Sequence, residues 1–262
     1  MNFPVWDPAI GSVWAVILTG IVHVFVSHVA IGGGLFLVVV ETRAHRQNDL
    51  ALLEWLKRHT RFFVYVTLVV GAVTGVGIWF AVSLVSPQAT GVLIRTFLWV
   101  WAVEWVLFFV EVVSVLVYAY AWDHLPRTTH RLVGWTYVAS SFLSLLAIAP
   151  ILSFQLTPGR WLYTRSVWDA FFNPGFLPSV AVRTLVCLML GGLFALLSML
   201  VLRLVPAERP VDPVSLVGGG QLLLPNALFV LGLVALFFRI MQHPKWRISM
   251  IGITTSIVIV LF

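Results

Sequence analysis

The sequence of 262 residues is poor in charge and nearly free of cysteine. Only 10% of its residues are charged and it contains a single cysteine, Cys187, whereas 60% are hydrophobic. This composition is far from that of a soluble globular domain. One cysteine excludes an internal disulfide and the paired attachment of a c-type haem. The chain also lacks a Walker loop, a dinucleotide-binding fingerprint and zinc-ligand spacing, so it offers no support for those soluble chemistries.

Acidic residues are outnumbered by basic ones, which gives a formal net charge of +6. A positive charge can indicate nucleic-acid binding, but these basic residues lie between hydrophobic runs, and no nucleic acid is expected as a partner. Segment 42–61 holds Arg43, Arg46, Lys57, Arg58 and Arg61, while residues 1–12 hold no basic residue. The positive-inside rule therefore predicts that this segment is a cytoplasmic loop and that the N-terminus lies outside.

Long hydrophobic runs make up most of the chain. We predict an all-α, polytopic transmembrane helix bundle, a single domain over residues 1–262 with about seven hydrophobic segments. The predicted spans are 13–40, 62–85, 92–122, 131–153, 180–204 and 220–241, with an incomplete seventh at 248–262. Because the seventh is too short to cross, we expect that the native chain continues past Phe262 or that a second polypeptide completes the bundle. Basic residues at 239–247 conflict with the predicted orientation, so the topology of 217–262 stays open.

Two glutamates, Glu104 and Glu111, lie inside the run 92–122, which has no other acidic residue. An ionisable side chain at membrane depth costs about 3 kcal/mol on insertion scales. Seven residues are about two helical turns, so both carboxyl groups are expected on one face. We interpret the pair as facing a cofactor, a proton path, an ion or a buried partner. The alternative is a structural hydrogen bond to a neighbouring helix.

Histidines are the second signal in the hydrophobic runs. His23 and His28 lie within the first predicted span, about 140° apart around a helix, so they do not form a same-face metal pair. A histidine in a bundle that buries carboxylates is a candidate axial haem ligand. For His23, haem ligation and a helix-to-helix hydrogen bond are equally favoured. For His28, the hydrogen bond is favoured. The remaining histidines are predicted to be solvated in or beside loops: His45, His59, His124, His130 and His243.

Small residues interrupt the hydrophobic runs at several positions. Gly71, Thr74 and Gly75 have the spacing that is typical of close helix packing in lipid. Cys187, within the fifth predicted span, is interpreted as a small core residue.

A series of short motifs runs in order along most of the chain. They are IVHVFVSHVAIGGGLFLVVVET at 21–42, GAVTGVGIWF at 71–80, EWVLFFVE at 104–111, WDHL at 122–125, then His130, Trp135, Ser141 and Ser144, and finally FNPGFLP at 172–178. In this order and spacing the motifs resemble subunit I of cytochrome bd quinol oxidases. The resemblance covers roughly residues 10–204.

The resemblance implies a subunit of membrane electron transfer with a haem and a proton route. His23 matches the family's axial ligand to a high-spin haem of the oxygen site, and Glu104 matches the carboxylate that faces this haem. Glu111 matches the carboxylate on the adjoining proton route, and His130 and Ser144 match polar residues near it. In such oxidases quinol gives electrons to a low-spin b haem, which passes them to a high-spin pair that reduces oxygen with protons from the cytoplasm.

The same resemblance implies the cofactors, the partners and the location. The cofactors are b- or d-type haems, and the number in this chain is left open. The partners are other membrane subunits of a respiratory complex, with quinol and the lipid bilayer. The location is the cytoplasmic membrane of a bacterium or an archaeon, crossed several times.

Several positions depart from the family's pattern, and residue 183 is the one that bears on a haem ligand. Alignment through FNPGFLP places Arg183 where the family has a histidine ligand to the low-spin haem, and a guanidinium offers iron no lone pair. The fifth predicted span contains no histidine. We therefore predict that this chain alone does not bind a low-spin b haem. Arg183 is expected to extend toward the interface and meet Asp169, a lipid phosphate or a haem propionate.

Three functional interpretations stay open at this point. The first is an oxidase-type subunit, part of a quinol:oxygen oxidoreductase, and the second is a degenerate relative that serves another electron-transfer complex as a structural or haem-poor membrane subunit. His23 and Glu104 favour the first, and Arg183 favours the second. An ion-coupled transporter that uses Glu104 and Glu111 ranks last, because no internal repeat is present.

Overall fold

The computed structural model describes residues 11–204 together with Leu231 and Ala235. Every element in this part of the chain is helical, and five helices are long and apolar enough to cross a membrane. The all-α polytopic bundle is thus confirmed. The predicted segments 220–241 and 248–262 lie outside the described residues, apart from Leu231 and Ala235, and the count of about seven segments and the outside N-terminus stay predictions.

The helices follow one another with short connections. Their bounds are α1 Ser12–Gln47, α2 Leu50–Val64, α3 Gly71–Val85, α4 Pro87–Thr96, α5 Leu98–Tyr120, α6 Arg127–Phe154, α7 Trp161–Thr164, α8 Val167–Phe171 and α9 Phe176–Leu204. A π-helical segment, Tyr65–Val70, joins α2 to α3. The candidate spans are Trp14–Gln47, Leu50–Val85, Leu98–Tyr120, Arg127–Phe154 and Phe176–Leu197.

The basic segment 42–61 is helical on both sides of a tight turn, so its prediction as a loop is wrong. Helix α1 continues to Gln47 and ends at Asn48, which has a left-handed backbone with φ 53°. The Asp49 side chain accepts a hydrogen bond of 2.9 Å from the Leu52 backbone N–H and caps the start of α2. Arginine and lysine are good helix formers. Their charge therefore marks the end of the hydrophobic run but does not end the helix.

The predicted span 92–122 also differs from the structure, because two helices share it. Pro87 occupies the first turn of α4, where its missing N–H costs nothing. The helix stops at Phe97, which has φ −114° and ψ 24°, and α5 starts at Leu98. Phe97 is fully buried against Phe154 of α6 with ring centroids 5.1 Å apart. Packing of this ring inside the bundle coincides with the break between α4 and α5.

Helix α1 is the centre of the bundle and packs against α2, α3, α6 and α9. Its approach to α9 is closest at Gly32, where an added Cβ would overlap the carbonyl oxygen of Cys187. A Cβ on Gly191 of α9 would in turn overlap the backbone of Gly32. Cys187 is buried with 1% of its surface exposed, as predicted for a small core residue. Glycine on both helices is what permits this crossing.

Helices α5 and α6 pack side by side along most of their length. Helix α2 packs against α5, whereas α3 packs mainly against α1. Trp79 of α3 and Trp101 of α5 are in contact, with ring centroids 4.7 Å apart.

Candidate functional site

Polar side chains recur every seven residues on the facing sides of α5 and α6. We call this set the polar column, and its members are Glu104, Glu111 and Tyr118 on α5 with Ser144, Tyr137 and His130 on α6. The two helices follow each other through a short turn and run antiparallel, so the members meet as three successive pairs. Two helical turns separate one pair from the next by about 10 Å.

The first pair is Glu104 and Ser144, which the sequence predicted as site residues. The Ser144 hydroxyl donates a hydrogen bond of 3.3 Å to the Glu104 carboxyl group. Both side chains are half-buried. This single long bond leaves most of the carboxyl lone pairs of Glu104 free for another partner.

The second pair is Glu111 and Tyr137, which lie close enough to act on each other electrostatically. The Tyr137 hydroxyl donates instead to the backbone carbonyl of Ala30 on α1, at 2.9 Å. Within the described part of the chain, no hydrogen bond reaches the Glu111 carboxyl group. A carboxyl group with no fixed partner in an apolar bundle favours the neutral acid, because desolvation penalises the charge.

The third pair, Tyr118 and His130, encloses a glutamate of α1 that is fully buried, Glu41. The Tyr118 hydroxyl donates to Glu41 Oε2, and His130 Nδ1 lies 2.8 Å from Glu41 Oε1. His130 Nε2 lies 2.9 Å from the backbone carbonyl of Tyr118. We call these three residues with His45, whose Nε2 is 3.4 Å from Glu41 Oε1, the Glu41 cluster.

The Glu41 cluster requires an extra proton. The Tyr118 carbonyl only accepts, so His130 Nε2 must carry a hydrogen to bond it. The contact between His130 Nδ1 and Glu41 Oε1 then needs a second proton, held by the ring or by the acid. Glu41 and His130 therefore share a proton at a buried position. His45 is partly exposed and links this pair to the surface at the basic end of the bundle.

Contacts between α1 and α6 show which residues of the two helices lie side by side. An added Cβ on Gly134 would strike Val38, and one on Gly34 would strike the Tyr137 ring. Helices α1 and α6 thus run antiparallel in register from the Glu41 cluster onward. If the same register continued for two turns beyond Tyr137, Ser144 would lie at the level of Ser27, with His23 one turn further along α1.

His23 is half-buried, and its ring is anchored through one nitrogen. Nδ1 lies 3.3 Å from the Thr74 hydroxyl on α3. Nε2 has only a 3.5 Å contact with the Ser27 hydroxyl, which donates more closely, at 2.7 Å, to the His23 carbonyl. His23 and Glu104 share no hydrogen bond among the described residues. His28 is buried with Nδ1 2.6 Å from the Val24 carbonyl, which agrees with the structural role favoured for it.

Comparison with known proteins identifies the family. The family model for cytochrome bd terminal oxidase subunit I matches residues 12–243. The chain belongs to this family. No curated protein sequence matches the chain significantly.

A solved structure supports the assignment of the fold. The bd oxidase from Geobacillus thermodenitrificans matches with a TM-score of 0.66 and 22% sequence identity. The match covers 90% of this chain and 56% of that protein's chain. This subunit I family member thus spans little more than half the length of that relative, and the match at this identity carries the fold alone.

Haem ligation, which the subunit I family implies, fits the surroundings of His23. Its Nε2 keeps a lone pair with no short partner, while Nδ1 is anchored. Trp101 Nε1, on the α5 residue that contacts Trp79 of α3, is buried with no hydrogen-bond partner within the described residues. Among residues 11–204, no three His, Cys, Asp or Glu side chains converge to hold a metal ion by themselves.

The surroundings of Arg183 correct the prediction that its side chain meets Asp169 at the interface. The side chain is buried with 4% exposed, and its Nε donates to the Ser179 hydroxyl at 3.2 Å. Asp169 accepts instead from Thr164 and lies 4.0 Å from Arg160. Arg183 is therefore held inside the bundle, with Ser179 one turn earlier as its hydrogen-bond partner, and does not pair with Asp169.

Two histidines that were expected to be solvated are buried. His130 is 3% exposed, and His59 is fully buried between Trp55, Phe36 and Phe194. His124 is exposed as predicted, and His243 lies outside the described residues. Sequence reasoning counted these positions as loops, but α2 and α6 begin well before their hydrophobic runs.

Sequence reasoning missed Glu41, Tyr118 and Thr74 as site residues. Glu41 was noted only as part of a motif, although it is an acid on the same helix as His23. Tyr118 continues the seven-residue repeat of Glu104 and Glu111, which was a usable signal. Thr74 had no signal beyond small-residue spacing, because its partner is on another helix.

Proposed function

We propose that the chain is the haem-binding and proton-relaying subunit of a quinol-dependent oxidase in a bacterial or archaeal cytoplasmic membrane, acting with other membrane subunits. The observation that carries the proposal is the polar column, which runs through an apolar bundle from the Glu41 cluster to Glu104 and Ser144. Ionisable side chains cost free energy at membrane depth and are by default a sign of function.

His23 is the proposed axial ligand of the haem. Its Nε2 lone pair is free, and neutral imidazole is a common ligand of haem iron. A haem held there supplies the redox chemistry by which electrons pass to oxygen. Glu104, one turn from the level of His23, is proposed to face the same space and to hold a proton beside it.

Glu111 and the Glu41 cluster are the proposed route for that proton. His45 links the shared proton of Glu41 and His130 to the surface, and Glu111 stands midway to Glu104. Neighbouring pairs are about 10 Å apart, which is longer than a hydrogen bond. The buried hydroxyls of Ser114 and Ser141 lie on the same faces between pairs. Transfer therefore requires water molecules or rotation of the carboxyl groups between fixed hydroxyls.

Arg183 favours a second function, a haem-poor membrane subunit of another electron-transfer complex. A guanidinium keeps its proton and cannot replace a histidine as an iron ligand. We propose that this chain by itself binds no low-spin b haem, so electrons enter through a partner. The two functions differ in whether His23 holds haem.

The test is a reduced-minus-oxidised spectrum with haem extraction, on the chain purified together with its native partners. We expect a high-spin haem band that His23→Ala abolishes or shifts at equal membrane insertion. The control is His28→Ala, which removes a histidine bonded only to its own helix and should keep the band. Unchanged haem content in His23→Ala would contradict the proposal that His23 is the axial ligand. A sharp low-spin band lost on substitution within 180–204 would overturn the part that concerns Arg183.

A further inference from the structure

The hydrogen of the Thr74 hydroxyl group is already used in a hydrogen bond within α3. Thr74 Oγ1 lies 2.6 Å from the Val70 carbonyl one turn earlier, and a carbonyl oxygen can only accept. A hydroxyl has one hydrogen, so toward any other partner the Thr74 oxygen acts as an acceptor. At 3.3 Å, His23 Nδ1 is such a partner, and it must therefore be the donor.

This direction decides which tautomer His23 adopts. A neutral imidazole has one N–H and one lone pair, so a hydrogen on Nδ1 leaves the lone pair on Nε2. The nearest group to Nε2 is the Ser27 hydroxyl at 3.5 Å, whose hydrogen bonds the His23 carbonyl at 2.7 Å. Nothing in the described part of the chain competes closely for the Nε2 lone pair.

Gly75, next to Thr74, gives the ring its position. A Cβ at Gly75 would lie 3.0 Å from His23 Cε1, which is tighter than ordinary contact. The ring thus lies against bare backbone on α3 while the adjacent threonine accepts its N–H. Gly75 thus sets the position of the ring, and Thr74 supplies a side-chain acceptor for its N–H beside the Gly71 backbone carbonyl, which also lies near the ring.

We infer that Thr74 is a positioning residue that holds His23 with Nδ1 protonated and so presents the Nε2 lone pair for iron. The inference rests on the proposed function, because it assigns a partner to the proposed ligand. An acceptor for the second ring nitrogen orients a ligating histidine and raises its basicity, and losing such a partner typically lowers metal affinity by about 10-fold to 100-fold.

The first test compares three variants of the full chain purified with its native partners. Thr74→Val keeps the shape and removes the acceptor, and Thr74→Ser keeps the acceptor. Thr67→Val is the matched control, because Thr67 is a threonine two turns earlier whose hydroxyl, among the described residues, bonds only the Phe63 carbonyl. We expect about 10-fold weaker haem binding and a higher haem midpoint potential in Thr74→Val. Thr74→Ser and Thr67→Val should match the unsubstituted chain.

A second measurement needs no haem. Nitrogen-15 chemical shifts of labelled histidine in the haem-free protein, with His23 assigned through His23→Ala, report which ring nitrogen carries the hydrogen. We expect Nδ1–H at His23, and a shift toward Nε2–H in Thr74→Val. An unchanged tautomer, affinity and potential in Thr74→Val overturn the inference, as does an equal loss in Thr67→Val or in Thr74→Ser.

The two measurements separate failure of this inference from failure of the proposed function. If the unsubstituted chain binds no haem, the proposed function is wrong, and the tautomer of His23 still decides the role of Thr74. If haem binds and Thr74→Val changes nothing, the function stands and the role of Thr74 is wrong.

Discussion

The two ends of the polar column are built from similar residues and are held very differently. At the Glu41 cluster the acid is fully buried, and two of its partners lie at 2.8 Å. At the other end Glu104 is half-buried with one partner at 3.3 Å, and His23 has its anchor at 3.3 Å. Short, fully satisfied hydrogen bonds rigidify a buried network, whereas long and incomplete ones leave groups free to bind or move.

The tightly bonded end of the polar column thus suits a structural role, and the loosely bonded end suits proton transfer. An acid fixed on both oxygens holds three helices together and keeps its shared proton in one place. An acid with free lone pairs can accept a proton and pass it on, at little cost to the fold. The proposed function needs both kinds of acid.

Glu41→Ala should have the largest effect on folding. It leaves the Tyr118 hydroxyl and the His130 ring without their buried partner, which costs about 3 kcal/mol or more of unfolding free energy. Glu104→Ala should cost less than about 1 kcal/mol, since it removes one long hydrogen bond. Denaturant unfolding of the purified protein in detergent measures both. Equal losses of unfolding free energy in the two variants would contradict the proposed difference between the two ends of the polar column.

Glu111→Gln should affect turnover and leave the fold unchanged. The glutamine amide cannot accept a proton and pass it on to Glu104. Loss of a positioned proton-transfer group typically lowers the rate by about 100-fold or more. Oxygen uptake by the intact complex with a quinol donor measures the rate. Glu54→Gln, which changes an exposed acid of α2, is the control.

Infrared spectroscopy sharpens the assignment of Glu111 and Glu104. Difference spectra between the reduced and oxidised protein should contain a protonated-carboxyl band that weakens in Glu104→Gln or Glu111→Gln. Two carboxylates that stay ionised and do not respond to redox state would remove the relay from the proposal.

Ser144→Ala should have a smaller effect than either acid. It deletes the one hydrogen bond to Glu104, which is worth about 1 kcal/mol, so turnover should fall by about fivefold. Ser140→Ala is a suitable control, because the Ser140 hydroxyl bonds only the Tyr137 carbonyl. A turnover loss as large as that of Glu111→Gln would mean that Ser144 carries the proton itself.

Asp123→Asn should have the least effect, because this ion pair is at the surface. A hydrogen bond from Lys57 lowers the pKa of the Asp123 carboxyl group, which is fully exposed. A lowered pKa in the folded state stabilises the protein above the ordinary value of about 3.9, and the contribution is lost as pH falls through the lowered value. Melting temperatures of the two proteins should differ slightly at neutral pH and converge in acid. A large difference at pH 7 would contradict the solvation argument.

The sequence predicted those features that depend on one helix at a time. Hydrophobic length predicted an all-α polytopic bundle, and the seven-residue spacing predicted that Glu104 and Glu111 share a face. The pairing of Glu41 with His130 and of His23 with Thr74 depends on the register between helices that lie far apart in sequence. The burial of His59 could not be predicted for a similar reason, because Phe194, which packs on it, comes from α9. Periodicity within one segment contains no information about such contacts.

The π-helical segment Tyr65–Val70 has a consequence for insertions and deletions in this family. Upstream of it, Phe63 and His59 pack into the core, and downstream Thr74 and Gly75 face His23. A one-residue change in length that the π-helical turn did not absorb would turn α3 by about 100° relative to α2 and shift it by about 1.5 Å. Both halves would stay helical and apolar, yet Thr74 would leave His23. The number of residues in this segment, more than their identity, therefore sets whether the two halves of the helix work in phase.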